Sequence, residues 1–287
     1  MAGAGGSVVR IGKSKYLRRE DRRCPPCSSR ARGWCGALLV FFASACAAPV
    51  GESTTRGCAA IVGGEPDQAH DAVVAVLDRT QTIVCSGTLI GADASGAAIV
   101  LTAAHCLDHF VAWVTFGQLP DPRSTELAVA VVSIAHHPLY ERETGAFDLA
   151  LLTLEAPPPV APLPVAANDG LVQGASVTLI GYGETIEGSG LTTARNQVAV
   201  RVEELAPAAF AYEQTAGGPC YGDSGGPAIV LGDIPLLVGV TSYGEGGCRG
   251  RGVSVRTSAA LDFITSAVPP TRGCTAAESA GSAKERP

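Results

Sequence analysis

The sequence is poor in charged and aromatic side chains and contains a single methionine. Charged residues make up 17% of the 287 residues and aromatic residues 5%, whereas 46% are hydrophobic. This balance argues against an intrinsically disordered chain, which combines low hydrophobicity with high charge. Positive charge is also scarce, since the formal net charge is -6. The chain therefore lacks the electrostatic signature of a nucleic-acid-binding protein.

The N-terminal region lacks a hydrophobic run of the roughly 20 residues that span a bilayer. Residues 1–32 are basic, an apolar run covers 34–42, and the small residues ASACAAP follow. This order is typical of a secretory signal peptide, which we predict over residues 1–46. The segment Ala43-Ser-Ala-Cys46 also resembles a bacterial lipobox, so two hypotheses stay open. Either the peptide is removed by ordinary cleavage after Ala45 or Ala47, or Cys46 carries a lipid that anchors an otherwise secreted or periplasmic protein to the membrane.

Cysteine is not scarce, because the chain contains ten. Three of them precede residue 36 and would leave with the signal peptide, and Cys46 would be acylated or removed. The six that remain predict three disulfides in an oxidising compartment. They are Cys58, Cys85, Cys106, Cys220, Cys248 and Cys274.

Helical periodicity is almost absent after Ile61. Short β-type runs broken by Gly, Pro and Asp predict an all-β barrel or sandwich, and only Ser258–Val268 has helical spacing. The runs of the second half are Ser176–Ile180, Gln197–Val202, Pro227–Leu231, Pro235–Ser242 and Gly252–Arg256. The predicted segments are a propeptide or linker (47–60), a first β-half (about 61–160), a second β-half (about 170–257) after a proline-rich joint, a helix (258–268), and a tail (271–287).

Ser224 stands among closely spaced glycines in GGPCYGDSGGPAIV, residues 217–230. The letters G-D-S-G-G satisfy G-x-S-x-G, the nucleophile motif of α/β-hydrolases. In that fold the catalytic histidine follows the serine, and helices alternate with strands. Here every histidine precedes Ser224, and alternating helices are missing. We therefore reject that fold. The histidines are His70, His105, His109, His136 and His137.

The order histidine, aspartate, serine is that of chymotrypsin-type enzymes. His105 lies in LTAAHC, Asp148 lies in FDLALL, and GDSGGP surrounds Ser224. Together with IVGG, HHPLY, GYG and TSYG in the expected order, these motifs resemble the trypsin/chymotrypsin-like serine proteases. The resemblance runs from Ile61 to about Val268. It implies two antiparallel six-stranded β-barrels with the active site between them, followed by a C-terminal helix.

The resemblance implies that His105 is the general base, that Asp148 orients its imidazole, and that Ser224 attacks the peptide carbonyl. The backbone N–H groups of Gly222 and Ser224 would bind the oxyanion. We expect a monomeric serine endopeptidase without metal or other cofactor, whose partners are protein or peptide substrates and protein inhibitors. His105 and His109 have zinc-ligand spacing, but the glutamate of H-E-x-x-H is missing. The alternatives are a non-catalytic homologue acting as a binding module and an esterase.

Two disulfides follow from the resemblance, Cys85–Cys106 and Cys220–Cys248. We infer that the remaining pair, Cys58 and Cys274, also joins. The common third disulfide of the family's second barrel has no counterpart here.

The segment CAAIVGG implies a zymogen that is cut before Ile61. By resemblance, the freed amino group would insert and pair with Asp223, the residue before the nucleophile. Ala59 and Ala60 precede the cut, so we hypothesise that the activating protease accepts alanine, and this enzyme itself is one candidate.

The specificity pocket is also inferred by resemblance. In trypsins an aspartate lies at the pocket floor, and the matching position here is Gly218. Ser242, Gly244 and Gly252 match other pocket positions. A floor without charge cannot pair with Lys or Arg, so we predict cleavage after neutral residues.

Overall fold

The computed structural model describes residues 61–118, 128–158, 160–190, 194–245 and 247–269. The predicted signal peptide, lipobox, propeptide, tail and Cys58–Cys274 disulfide lie outside these residues. Within the described ranges, no helix has the length and hydropathy that a membrane crossing requires.

The described chain is mostly β-structure, as predicted. The fourteen strands are β1 (Glu65–Pro66), β2 (Val73–Asp78), β3 (Ile83–Ala92), β4 (Ala98–Thr102), β5 (Val111–Thr115), β6 (Ala128–His136), β7 (Ala150–Leu154), β8 (Ser176–Gly181), β9 (Asn196–Arg201), β10 (Glu204–Leu205), β11 (Ala209–Glu213), β12 (Pro227–Val230), β13 (Leu236–Gly244) and β14 (Arg251–Arg256). One α-helix, α1 (Leu261–Ala267), follows a 3₁₀ turn at Thr257–Ala260 and falls within the predicted 258–268.

Strands β2 to β7 form a closed antiparallel barrel in the order β2-β3-β4-β7-β6-β5. Strand β4 reads AIVLT and is buried along its whole length, as expected for an uninterrupted apolar run in a barrel wall. Strand β6 differs, because its second half is exposed. The hydrophobic core continues from the barrel to residues of β8, β13 and α1, including Ile180, Val240 and Ile264.

The second half forms an eight-stranded antiparallel sheet in the order β1-β9-β8-β12-β13-β14-β11-β10. Five of its six longer strands correspond to the predicted runs of the second half, whereas β11 was not predicted. The Glu203 N–H donates to Ala211 O at 2.8 Å, which brings the end of β9 beside β11. The hydrogen-bonded ladder of the described strands does not close, because β9 and β11 do not pair along their length. The family fold is confirmed, with an open ladder in the second half.

Candidate active site

His105 and Asp148 are positioned by the first barrel. His105 lies in a 3₁₀ helix (Ala104–His109) that begins two residues after the buried strand β4, and Asp148 lies just before β7. His105 Nδ1 is 2.7 Å from Asp148 Oδ2, and the His105 backbone N–H donates to Asp148 Oδ1 at 2.9 Å. Because both carboxylate oxygens are engaged by one residue, the imidazole has a defined orientation.

Asp148 is 2% exposed and is held in its charged form. Burial by itself would raise the pKa of this carboxyl, but hydrogen bonds and the charge of His105 outweigh it, so the pKa lies below its usual value. The Ser242 hydroxyl contributes by donating to Asp148 Oδ2 at 2.5 Å. The carboxylate therefore favours a His105 tautomer with the proton on Nδ1, which leaves Nε2 free to accept a proton.

His137 supports the loop that carries Asp148. Its ring stacks on Phe147 with centroids 4.6 Å apart and contacts Phe263 of α1 edge-on at 4.9 Å. Its backbone N–H donates to Leu149 O at 2.8 Å. Burial lowers the pKa of His137, which keeps this ring neutral among its apolar neighbours. The second histidine of HHPLY is therefore structural.

Ser224 enters from the second sheet, in the loop before β12. Its Oγ donates to Ser242 O at 3.4 Å rather than to His105. The loop is pressed against the first barrel, since Ser86 N–H donates to Ser224 O at 2.8 Å. At Gly225, with φ of 82°, a Cβ would lie 2.1 Å from Thr102 Oγ1, so only glycine fits this contact. His105, Asp148 and Ser224 line one cleft of about 880 Å³.

The predicted oxyanion-hole groups are available in this loop. Within the described residues, the N–H groups of Gly222 and Ser224 have no hydrogen-bond acceptor, whereas the neighbouring Asp223 and Gly225 donate to backbone carbonyls. Gly222 has a φ of 96°, a conformation that favours glycine. The Ser86 hydroxyl donates to Gly222 O at 2.9 Å and fixes the direction of that peptide. Sequence analysis did not identify this role of Ser86.

Asp223, next to Ser224, faces away from the cleft into the protein. It is 1% exposed and accepts hydrogen bonds from Cys220 N–H and Gly183 N–H, both at 2.8 Å. No cationic side chain among the described residues pairs with it. Burial therefore raises the pKa of Asp223 to about 7, although the two N–H groups oppose the shift. Ile61 is fully buried, and Val62 exchanges two backbone hydrogen bonds with Gly218.

The structure contains both disulfides that the resemblance implied. Cys85–Cys106 joins β3 to the histidine-bearing 3₁₀ helix, and Cys220–Cys248 borders the cleft beside Ser224. Within the described ranges, one group of residues has metal-site proximity, namely Cys85, His105 and Cys106. Its two cysteines are bonded to each other, so they offer no thiolate to a metal.

The pocket differs from the expectation at two of its four predicted residues. Ser242 and Gly244 line the cleft, whereas Gly218 and Gly252 do not. The Gln214 side chain covers Gly218, since a Cβ there would lie 2.5 Å from Gln214 Nε2. The Tyr212 ring covers Gly252, where a Cβ would lie 2.2 Å from the ring. The sequence analysis missed Gln214 and Tyr212 because β11 was not among the predicted strands.

Comparison with known proteins identifies the family of the chain. The family model described as Trypsin matches residues 61–264. A curated protein named Trypsin from Saccharopolyspora erythraea is 33% identical over 226 residues, which cover 71% of this chain and 96% of the relative. Transmembrane protease serine 9 of Rattus norvegicus is 30% identical over 190 residues, covering 58% of this chain but only 18% of that protein. The solved structure titled human heparin binding protein superposes with a TM-score of 0.62 at 26% identity, covering 74% of this chain and 99% of that one.

Proposed function

The chain belongs to the trypsin family of serine proteases, and we propose that it is a catalytically active, secreted endopeptidase. The observation that carries this proposal is the convergence in one cleft of a carboxylate-bound imidazole, a serine hydroxyl and two N–H groups that have no acceptor among the described residues. A binding module would have no need to keep all three.

The reaction uses the three side chains in sequence. Ser224 Oγ turns from Ser242 O toward His105 Nε2 and attacks the substrate carbonyl carbon, while Nε2 takes the hydroxyl proton. The carbonyl oxygen becomes an oxyanion and accepts hydrogen bonds from Gly222 N–H and Ser224 N–H. His105 then gives its proton to the leaving amine. A water molecule, activated by the same nitrogen, hydrolyses the acyl-enzyme and restores Ser224, while Asp148 stabilises the imidazolium throughout.

Activation is by a cut before Ile61. Two observations support this step: Asp223 is a buried carboxyl that no cation of the described residues pairs with, and Ile61 is already buried. A new α-amino group at Ile61 would supply the missing positive charge, and a buried ion pair forms only when both partners are present. N-terminal sequencing of the active protein should give Ile61-Val-Gly-Gly, and any other start would contradict the step.

Catalysis is tested by labelling with a fluorophosphonate, which reacts with an activated serine hydroxyl. Processed wild-type protein should be labelled, and the matched variant Ser224→Ala should not. Failure of the wild type to react, with folding verified by circular dichroism, would refute an active endopeptidase.

A non-catalytic binding module is the second candidate, since one similar structure has a title that names heparin binding. Heparin is a polyanion, and a net charge of -6 does not favour its binding here. The same labelling experiment separates the two functions.

A further inference from the structure

We infer that the carboxamide of Gln214 is the floor of the primary specificity pocket and recognises an uncharged substrate side chain that donates a hydrogen bond, such as asparagine or glutamine. The inference rests on the proposed protease function and names its substrate class.

The second sheet positions Gln214 at the cleft. Phe210, Tyr212 and Gln214 follow one another at every second residue and are buried; of the two intervening residues, Glu213 is exposed and the small Ala211 is also buried. Alternate residues of a strand share a face, so this row runs along the interior of the sheet and ends at Gln214, just beyond β11. The Gln214 N–H donates to Gly250 O at 3.0 Å, which holds the backbone at that point.

The side chain lies where the pocket would otherwise continue. A Cβ at Gly218 would meet Gln214 Nε2, Cγ and Cδ at 2.5–2.9 Å, and a Cβ at Gly244 would lie 3.3 Å from Oε1. The carboxamide therefore lies between these two glycines. Gln214 is 1% exposed yet lines the same cleft as Ser224, Ser242 and Gly244. These contacts place it at the closed end of the pocket.

One hydrogen bond sets the orientation of the amide. Nε2 donates to Pro219 O at 2.6 Å, and the reverse orientation would bring two acceptors together. Oε1 then points toward Gly244, and no described residue donates to it. The pocket floor is thus a neutral acceptor without a partner. Such a group favours a substrate side chain with an N–H or O–H donor.

The same acceptor discriminates against other side chains. A leucine of similar size would leave Oε1 buried and unpaired, which is costly. An aspartate would place a second acceptor against Oε1. A lysine would bury its charge without a carboxylate at the floor, and its desolvation would then be uncompensated. The expected order of preference is asparagine above leucine, with aspartate and lysine below both.

The test measures kcat/KM for peptides that differ only in the residue before the cut: asparagine, leucine, aspartate or lysine. Wild-type protein should prefer asparagine over leucine by about tenfold. Gln214→Met, which keeps the length and removes the acceptor, should bring that ratio to one or below. Gln214→Glu should raise the rate for lysine by at least tenfold relative to asparagine, because a carboxylate then occupies the floor. Gln197→Met is the control, since Gln197 bonds Glu65 at the exposed edge of the sheet and should leave every ratio unchanged.

Two readouts separate this inference from the proposed function. Fluorophosphonate labelling reports the activated serine whatever the substrate preference. Equilibrium binding of the asparagine and leucine peptides to Ser224→Ala, with and without Gln214→Met, reports the pocket without turnover. Tighter binding of the asparagine peptide that Gln214→Met abolishes would support the inference. A leucine preference, or a ratio that Gln214→Met does not alter, would overturn it even if the protein is labelled.

Discussion

The closed first barrel and the open second sheet each contribute a buried aspartate next to the cleft, and the environments of the two carboxyls shift their pKa values in opposite directions. Asp148 is surrounded by His105 and Ser242, and its pKa is lowered. From the part of the chain that the structure describes, Asp223 accepts only backbone N–H groups, and burial raises its pKa to about 7. Asp148 has its charged partner within the described structure, whereas the activation that we propose would supply one to Asp223. This contrast suggests that proton transfer belongs to the barrel, and that activation and selectivity belong to the sheet.

The test with the largest expected effect removes the charge of Asp148. It asks whether the barrel supports proton transfer without affecting selectivity. In Asp148→Asn we expect kcat to fall by about 10,000-fold, because the amide favours the wrong tautomer of His105. The ratio of rates for asparagine and leucine peptides should not change, since Gln214 is untouched. Steady-state kinetics on both peptides measures the two quantities. A changed ratio would show that the barrel also determines selectivity.

The two disulfides provide a matched pair, one from each half. Cys85–Cys106 and Cys220–Cys248 close segments of 21 and 28 residues, so removing either should cost a similar ~3 kcal/mol of unfolding free energy. Their effects on activity should differ. Replacing the first pair by alanine should lower kcat through His105, and replacing the second should raise KM and weaken peptide selectivity. Urea unfolding and kinetics of both double variants test this, and equal kinetic effects would contradict the division.

The unpaired state of Asp223 predicts an unusual pH dependence in the uncleaved chain. Between about pH 4 and 7 the folded carboxyl keeps a proton that the unfolded chain has released, so stability should fall as pH rises. Compared with Asp223→Asn, the slope of unfolding free energy against pH should be more negative by close to one proton. After cleavage, pairing with the new amino group should lower the pKa, and stability should then be lost as pH falls. Urea unfolding of Ser224→Ala, before and after cleavage and across this pH range, measures the sign of the pH dependence of stability in each form. Equal slopes in the two forms would argue against the ion pair.

The smallest expected difference is a difference in stability, between variants of a buried and of an exposed ion pair. Arg256 binds Asp169 through two hydrogen bonds of 2.7 and 2.8 Å, and Asp169 is 1% exposed at its side chain. Arg142 pairs with Asp108 on the surface, where both are well exposed. We expect Arg256→Ala to cost about 3 kcal/mol of unfolding free energy, because it leaves a buried charge, and Arg142→Ala to have no measurable effect, because solvent screens the exposed pair. Thermal unfolding of the two variants measures the difference.

Much of the site could be predicted because its chemistry is local in sequence. LTAAHC, FDLALL and GDSGGP each place a reactive side chain beside residues that define its backbone, so motif order was sufficient to select His105, Asp148 and Ser224. Strand β11 was missed because Ala-Phe-Ala-Tyr-Glu carries a weak β-signal, and its conformation depends on pairing with β14. Because that strand was not predicted, no feature of the sequence indicated that Gln214 reaches the cleft.

The sequence by itself determined the all-β class, the family and two disulfides, and it selected the three residues that we propose as the triad, because each depends on residue identity and order. Only the tertiary structure decided that Gln214 covers Gly218, that Ser86 orients Gly222, and that Ser224 rests on Ser242. Each of these contacts either joins residues that are distant in the chain or depends on the direction in which a side chain points. The physical reason is that packing between the barrel and the sheet, rather than local propensity, selects which polar atoms meet in the cleft.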